Sequence, residues 1–173
     1  MDGQDRRAGK KQVKTSEVAE YGLMAALALG LSYLESRLPV FFAVPGMKLG
    51  LTNIVVLIAL YRRGAKEAFF INLVRILLAG FTFGSLSSMI YSLAGGIASF
   101  LAMIVCKRSG RFSMTGVSVA GGVAHNIGQT VVAAAVLETE ALLWYLPFLL
   151  IAGTAAGLVI GLMGSGVLRR LPD

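Results

Sequence analysis

Two basic side chains and a handful of amides stand inside otherwise apolar sequence. Lys48 lies in the stretch Pro45–Asn53, PGMKLGLTN, which runs directly into IVVLIALY. Arg75 follows Asn72 by three residues in another apolar run, so the two share a helix face. Arg75 is nine residues beyond Lys66, roughly 13 Å along a helix. His125, Asn126 and Gln129 occur together in AHNIGQT, and Asn53 closes the Lys48 motif. Burying such charges in lipid costs on the order of 2.5–3.5 kcal/mol each on insertion scales, so each needs a partner. The chemistry that fits is recognition of a small anionic solute. Lys48 and Arg75 would meet its anionic groups, and Asn53, Asn72, His125, Asn126 and Gln129 would orient it by hydrogen bonds. Each residue also has a plainer reading. Lys48 at the outer end of a span can snorkel to the headgroups, and a lone buried histidine is usually a hydrogen-bonded structural group. Arg75 is harder to explain away, because Glu20, Glu35 and Glu67 all fall near span ends and none mid-span.

The same inventory argues against other chemistry. One histidine and one cysteine, Cys106, fall short of a metal-ligand set or a disulfide framework. The chain has no aspartate-rich motif, no Walker A loop and no nucleophile–base pair, so neither cofactor nor catalytic residue is expected. The net charge of +7 is dispersed in short clusters between apolar runs, which fits membrane topology and not nucleic-acid binding.

The elements that must position these residues follow from composition. The chain is 56% hydrophobic and 14% charged, against about 45–50% and 25% in soluble domains. It reads as an all-α integral membrane protein: a disordered basic cytoplasmic tail over residues 1–17, then one transmembrane domain over 18–173. Apolar runs fall at about Tyr21–Leu34, Leu49–Tyr61, Ala68–Cys106, Gly116–Leu137 and Ala141–Leu168. The third is too long for one span and must turn near Thr82–Ser88, TFGSLSS, which makes six spans in all. Thirteen of the sixteen Lys and Arg residues fall in the N-terminal tail, the 62–66 and 107–111 loops and the C-terminus. That pattern places both termini in the cytoplasm and Glu138–Glu140 outside, and the protein is expected in a prokaryotic plasma membrane. The first apolar run also has signal-peptide features, but further spans follow it and cleavage is not expected. Residues 38–47, LPVFFAVPGM, are apolar yet contain Pro39 and Pro45, and are read as a lid over the outer half of the bundle.

Small residues recur four apart at Gly22, Ala26 and Gly30, at Ala120, Ala124 and Gly128, and at Gly153, Gly157 and Gly161. Such stripes let helices approach closely. The later two are read as internal packing. The first serves either internal packing or an external partner helix.

The motifs PGMKLGLTNIVVLIALY and AHNIGQTVVA, with a basic residue in the third span, resemble the Gx transporter family, often labelled heptaprenyl diphosphate synthase component I. The resemblance runs over about residues 18–168. That family in turn is similar to the S components of energy-coupling factor transporters. The resemblance implies a six-helix bundle that binds a small solute under a loop lid. It also implies docking on an energy-coupling transmembrane subunit with ATPases, through small residues of the first helix; here Gly22, Ala26 and Gly30 depart from the alanine pattern of those proteins. The label implies a second class, a non-catalytic membrane subunit associated with a heptaprenyl or polyprenyl diphosphate synthase, or with a membrane redox assembly.

Overall fold

A computed structural model describes residues 15–37 and 50–171, apart from the side chain of Ser16. The elements are α1 (Thr15–Arg37), α2 (Asn53–Arg62), α3 (Ala65–Thr82), α4 (Leu86–Ser109), α5 (Met114–Val136), a 3-10 turn over Glu140–Tyr145, and α6 (Leu146–Leu168). No strand occurs among the described residues. Helix is the economical solution for such a chain, because lipid offers no partners for backbone N–H and C=O groups. The spans Leu86–Ser109, Met114–Val136 and Glu140–Leu168 are long and apolar enough to cross a bilayer. The chain is therefore a multi-pass membrane protein. α1 and α3 are long as well, but carry charges within their length, among them Glu20 and Glu35 in α1 and Glu67 and Arg75 in α3.

The turn expected near Thr82–Ser88 is present. α3 ends at Thr82, and the Ser85 side chain accepts a hydrogen bond from Ser88 N at 3.1 Å to start α4. Ser113 starts α5 in the same way, through Gly116 N at 3.2 Å. Gly110, in the left-handed region at φ 68°, ends α4. Three boundaries differ from the sequence expectation. α1 already begins at Thr15, within the stretch expected as tail. α2 begins only at Asn53, because Gly50–Thr52 form a turn in which Asn53 N donates to Gly50 O at 2.9 Å. The last apolar run opens as a 3-10 turn. It becomes α-helix only at Leu146, where Pro147 in the first turn forfeits no helical hydrogen bond.

α5 lies between α4 and α6, and these three make the most extensive packing in the molecule. Glycine permits the α5–α6 approach. A Cβ on Gly157 would lie 2.6 Å from the Cα of Val119, and one on Gly161 2.6 Å from the Cα of Thr115. On the other side Gly128 packs against Ala94 and Ala98 of α4. The stripes of α5 and α6 are thus internal, as their spacing suggested. α1, α2 and α3 complete the bundle around a core that includes Ala28, Val56, Leu57, Leu60, Phe100 and Val117. Residues such as Leu101 and Val105 on α4 and Ile151 and Leu162 on α6 face outward, as a lipid-facing surface requires.

Candidate functional site

The polar residues of α2, α3 and α5 meet on one stretch of α4. That stretch, Gly95–Gly96 with Ser92 and Ser99, is buried and small, so neighbouring side chains reach the α4 backbone. Asn72 donates from Nδ2 to the Gly96 carbonyl at 3.3 Å. A Cβ on Gly96 would stand 3.2 Å from that nitrogen and 2.8 Å from Ile76 Cδ1, so a side chain there would crowd the Asn72 amide. The Asn72 carbonyl oxygen in turn accepts from Arg75 Nε at 3.1 Å and Nη2 at 2.9 Å. Arg75 is only 3% exposed. Among the described residues no carboxylate lies within ion-pair distance of it; the ion pairs there are Glu20 with Arg62 and with Arg63.

His125 lies against Gly95, where a Cβ would come within 3.0 Å of the ring Cε1. Asn53, at the start of α2, donates to Ser99 Oγ at a long 3.5 Å. Gly50 brings the two together. A Cβ built on it would be 3.0 Å from Asn53 Nδ2 and 3.8 Å from His125 Cδ2. Its φ of +82° suits glycine independently of that crowding.

The structure divides the AHNIGQT cluster. Asn126 turns to α6, donating to the Leu149 carbonyl at 2.5 Å and accepting from Gln129 Nε2 at 3.0 Å. Both ends of the Asn126 amide are thus engaged, the nitrogen across the α5–α6 contact and the oxygen within α5. Asn53, Asn72 and His125 meet along α4, with Arg75 held there through Asn72; Asn126 braces the α5–α6 pair and takes a hydrogen bond from Gln129. Gly22, Ala26 and Gly30 lie elsewhere, on the exposed face of α1, and no other group stands within 4 Å of a Cβ placed at Gly22 or Gly30. Lys48 and the 38–47 segment expected to form a lid fall outside the described residues.

One residue beside this arrangement was not anticipated as part of it. Glu35, near the end of α1, is 6% exposed, and its Oε1 accepts from Gly50 N at 2.5 Å and Leu51 N at 3.3 Å. Ser32, one turn earlier, shares a hydrogen bond with Thr52 at 3.1 Å. Together they tie the end of α1 to the start of α2. The available signal was a carboxylate one turn after a serine at the end of an apolar run, followed by a proline-bearing loop and a glycine.

Comparison with known proteins agrees with this arrangement at the level of the fold. No curated protein matches the sequence. A solved structure of the S component of a bacterial ECF transporter superimposes with a TM-score of 0.58 at 16% identity, over 88% of this chain and 95% of that one. The family described as heptaprenyl diphosphate synthase component I matches residues 24–167, a span that holds Glu35, the α4 wall and the polar side chains of α2, α3 and α5. Sequence and fold converge, and the chain belongs to the heptaprenyl diphosphate synthase component I family.

Proposed function

We propose that this protein is a membrane-embedded solute-binding subunit, built like an S component, that takes up a small anionic solute across the prokaryotic plasma membrane. Arg75 carries the reading: it is a buried guanidinium held by an uncharged amide, with no carboxylate at ion-pair distance among the described residues. A buried cation in a membrane protein is expensive unless an anion reaches it, and two of its five N–H groups are spent on Asn72. Asn53, Asn72 and His125 supply polar groups beside it, and Asn126 and Gln129 hold the adjacent helix pair. Lys48, two residues before Gly50 in the sequence, is the second cationic contact in this reading. The molecule works as six spans with both termini in the cytoplasm. Its binding role is non-catalytic, and energy comes from a partner subunit with ATPases that docks on the small-residue face of α1.

The test is what the protein carries. Small molecules released by denaturing detergent-purified protein are identified by mass spectrometry, for the parent, Arg75→Met and Lys48→Met. The parent should release an anionic compound, and both variants about 10- to 150-fold less, the worth of a charge-assisted hydrogen bond. Lys48→Met should keep the parent's melting temperature without solute; Arg75→Met, buried more deeply, risks some loss. An Arg75→Met protein that melts as the parent and carries as much compound sinks the anion reading. Recovery of a soluble prenyltransferase with the parent, and no compound, would favour the non-catalytic synthase subunit that the family description suggests.

A further inference from the structure

Glu35 does one job that needs a single oxygen and no charge. Its Oε1 receives Gly50 N and Leu51 N and so fastens α1 to the turn before α2. A glutamine carbonyl would accept the same two N–H groups. Yet the chain carries a carboxylate there, and its second oxygen, Oε2, is buried with no hydrogen-bond partner among the described residues. An ionised carboxylate has room for about four hydrogen bonds, and leaving an oxygen dry forfeits its hydration. The clasp therefore explains half of the side chain.

The location suggests the other half. Gly50, which Glu35 holds, touches the space of both Asn53 and His125. Asn53 and His125 lie on the same stretch of α4 to which Asn72 ties Arg75. A buried acceptor thus adjoins, through Gly50, the polar groups that gather with Arg75 on α4.

We propose that Glu35 is a further solute-contacting residue whose Oε2 accepts a hydrogen bond from an N–H or O–H group of the bound molecule. This rests on the solute-binding reading above and narrows it. The solute is bifunctional: an anionic or carbonyl group meets Arg75, and an amine, amide or hydroxyl donor meets Glu35. Zwitterions and hydroxylated or aminated acids fit. Anions without a donor, such as acetate or chloride, offer nothing to Oε2.

Glu35→Gln separates the clasp from recognition. The amide oxygen keeps the bonds to Gly50 and Leu51, while an NH2 group replaces the free acceptor and repels a donor. The probe is the set of small molecules released by methanol from detergent-purified protein, measured for the parent and for Glu35→Gln, with melting temperature alongside. Glu35→Gln should melt at or above the parent temperature once stripped of solute, and carry about 10- to 150-fold less compound. The compound from the parent should contain at least one N–H or O–H donor. If Glu35→Gln carries as much as the parent, Oε2 is merely hydrated and this inference fails while the solute-binding reading stands. If the parent's compound has no donor, the inference fails whether or not Glu35→Gln folds. If the parent releases nothing, the solute-binding reading itself is overturned, and this inference with it.

Discussion

Asn72 and Asn126 have the same side chain in similarly apolar helices, and they serve different ends. Asn72 fixes a guanidinium to the α4 backbone: its oxygen takes two Arg75 N–H groups and its nitrogen donates to Gly96. Asn126 spends both ends on its own scaffold, with Leu149 of α6 and Gln129. Removing Asn126 should therefore cost stability and spare binding. For Asn126→Ala we expect about 0.6–2 kcal/mol of lost stability, the range for buried hydrogen bonds within membranes, with released compound near the parent amount. Reversible unfolding in mixed micelles, with solute analysis of the same preparations, would check both halves. A variant as stable as the parent but empty of compound would return Asn126 to the binding set.

Helices of this bundle end where side chains can satisfy them. α2 has only 10 residues, about 15 Å of rise, less than the thickness of a bilayer core. Lys107 at the end of α4 reaches back to its C-terminus, donating to the Leu60 carbonyl at 2.5 Å while its ammonium lies 4.6 Å from the Tyr61 ring centroid. Glycines divide by element in a similar way. Gly157 of α6 is pressed against α5, whereas Gly30 of α1 has open space before it. Gly157→Leu should then drive α5 and α6 apart and cost about 1–3 kcal/mol or more, as overpacking does. Gly30→Leu should leave the isolated protein as stable as the parent, and abolish co-purification of any energising subunit that docks on α1. Thermal unfolding of the two variants and pull-down from membranes would separate these effects; unchanged stability in Gly157→Leu would show that the α5–α6 contact yields.

At the scale of the whole molecule, the charge distribution predicts an orientation. Glu20 of α1 pairs with Arg62 at 2.9 Å and with Arg63, tying α1 to the end of α2, and most Lys and Arg residues fall in this loop, the 107–111 loop and the two ends of the chain. Basic loops favour the cytoplasmic side, which predicts that the connection from α5 to the 3-10 turn lies outside. On a Cys106→Ser background, Glu140→Cys should react with a membrane-impermeant thiol reagent in intact cells. Arg111→Cys should react only after permeabilisation. Labelling of residue 140 from the inside alone would invert the topology.

Much of this was legible in the residues themselves. An apolar chain in lipid must satisfy its backbone internally, so composition alone selected helices. The Gly–Ser cluster at 82–88 located the α3–α4 turn, and glycine spacing marked the α5–α6 seam. Pairs on one helix were legible too, since Asn72 and Arg75 are a turn apart and meet as that spacing requires. What the local pattern does not carry is the identity of the neighbour across each face. His125 and Asn126 differ by about 100° around α5, and only the order of helices about that axis decided that one meets α4 and the other α6. Glu35 shows the same limit more sharply. Near the end of an apolar run it looks like a residue bound for the headgroups. The return of the chain at Gly50 and Leu51 is what buries it, because two backbone N–H groups without helical partners lie within its reach.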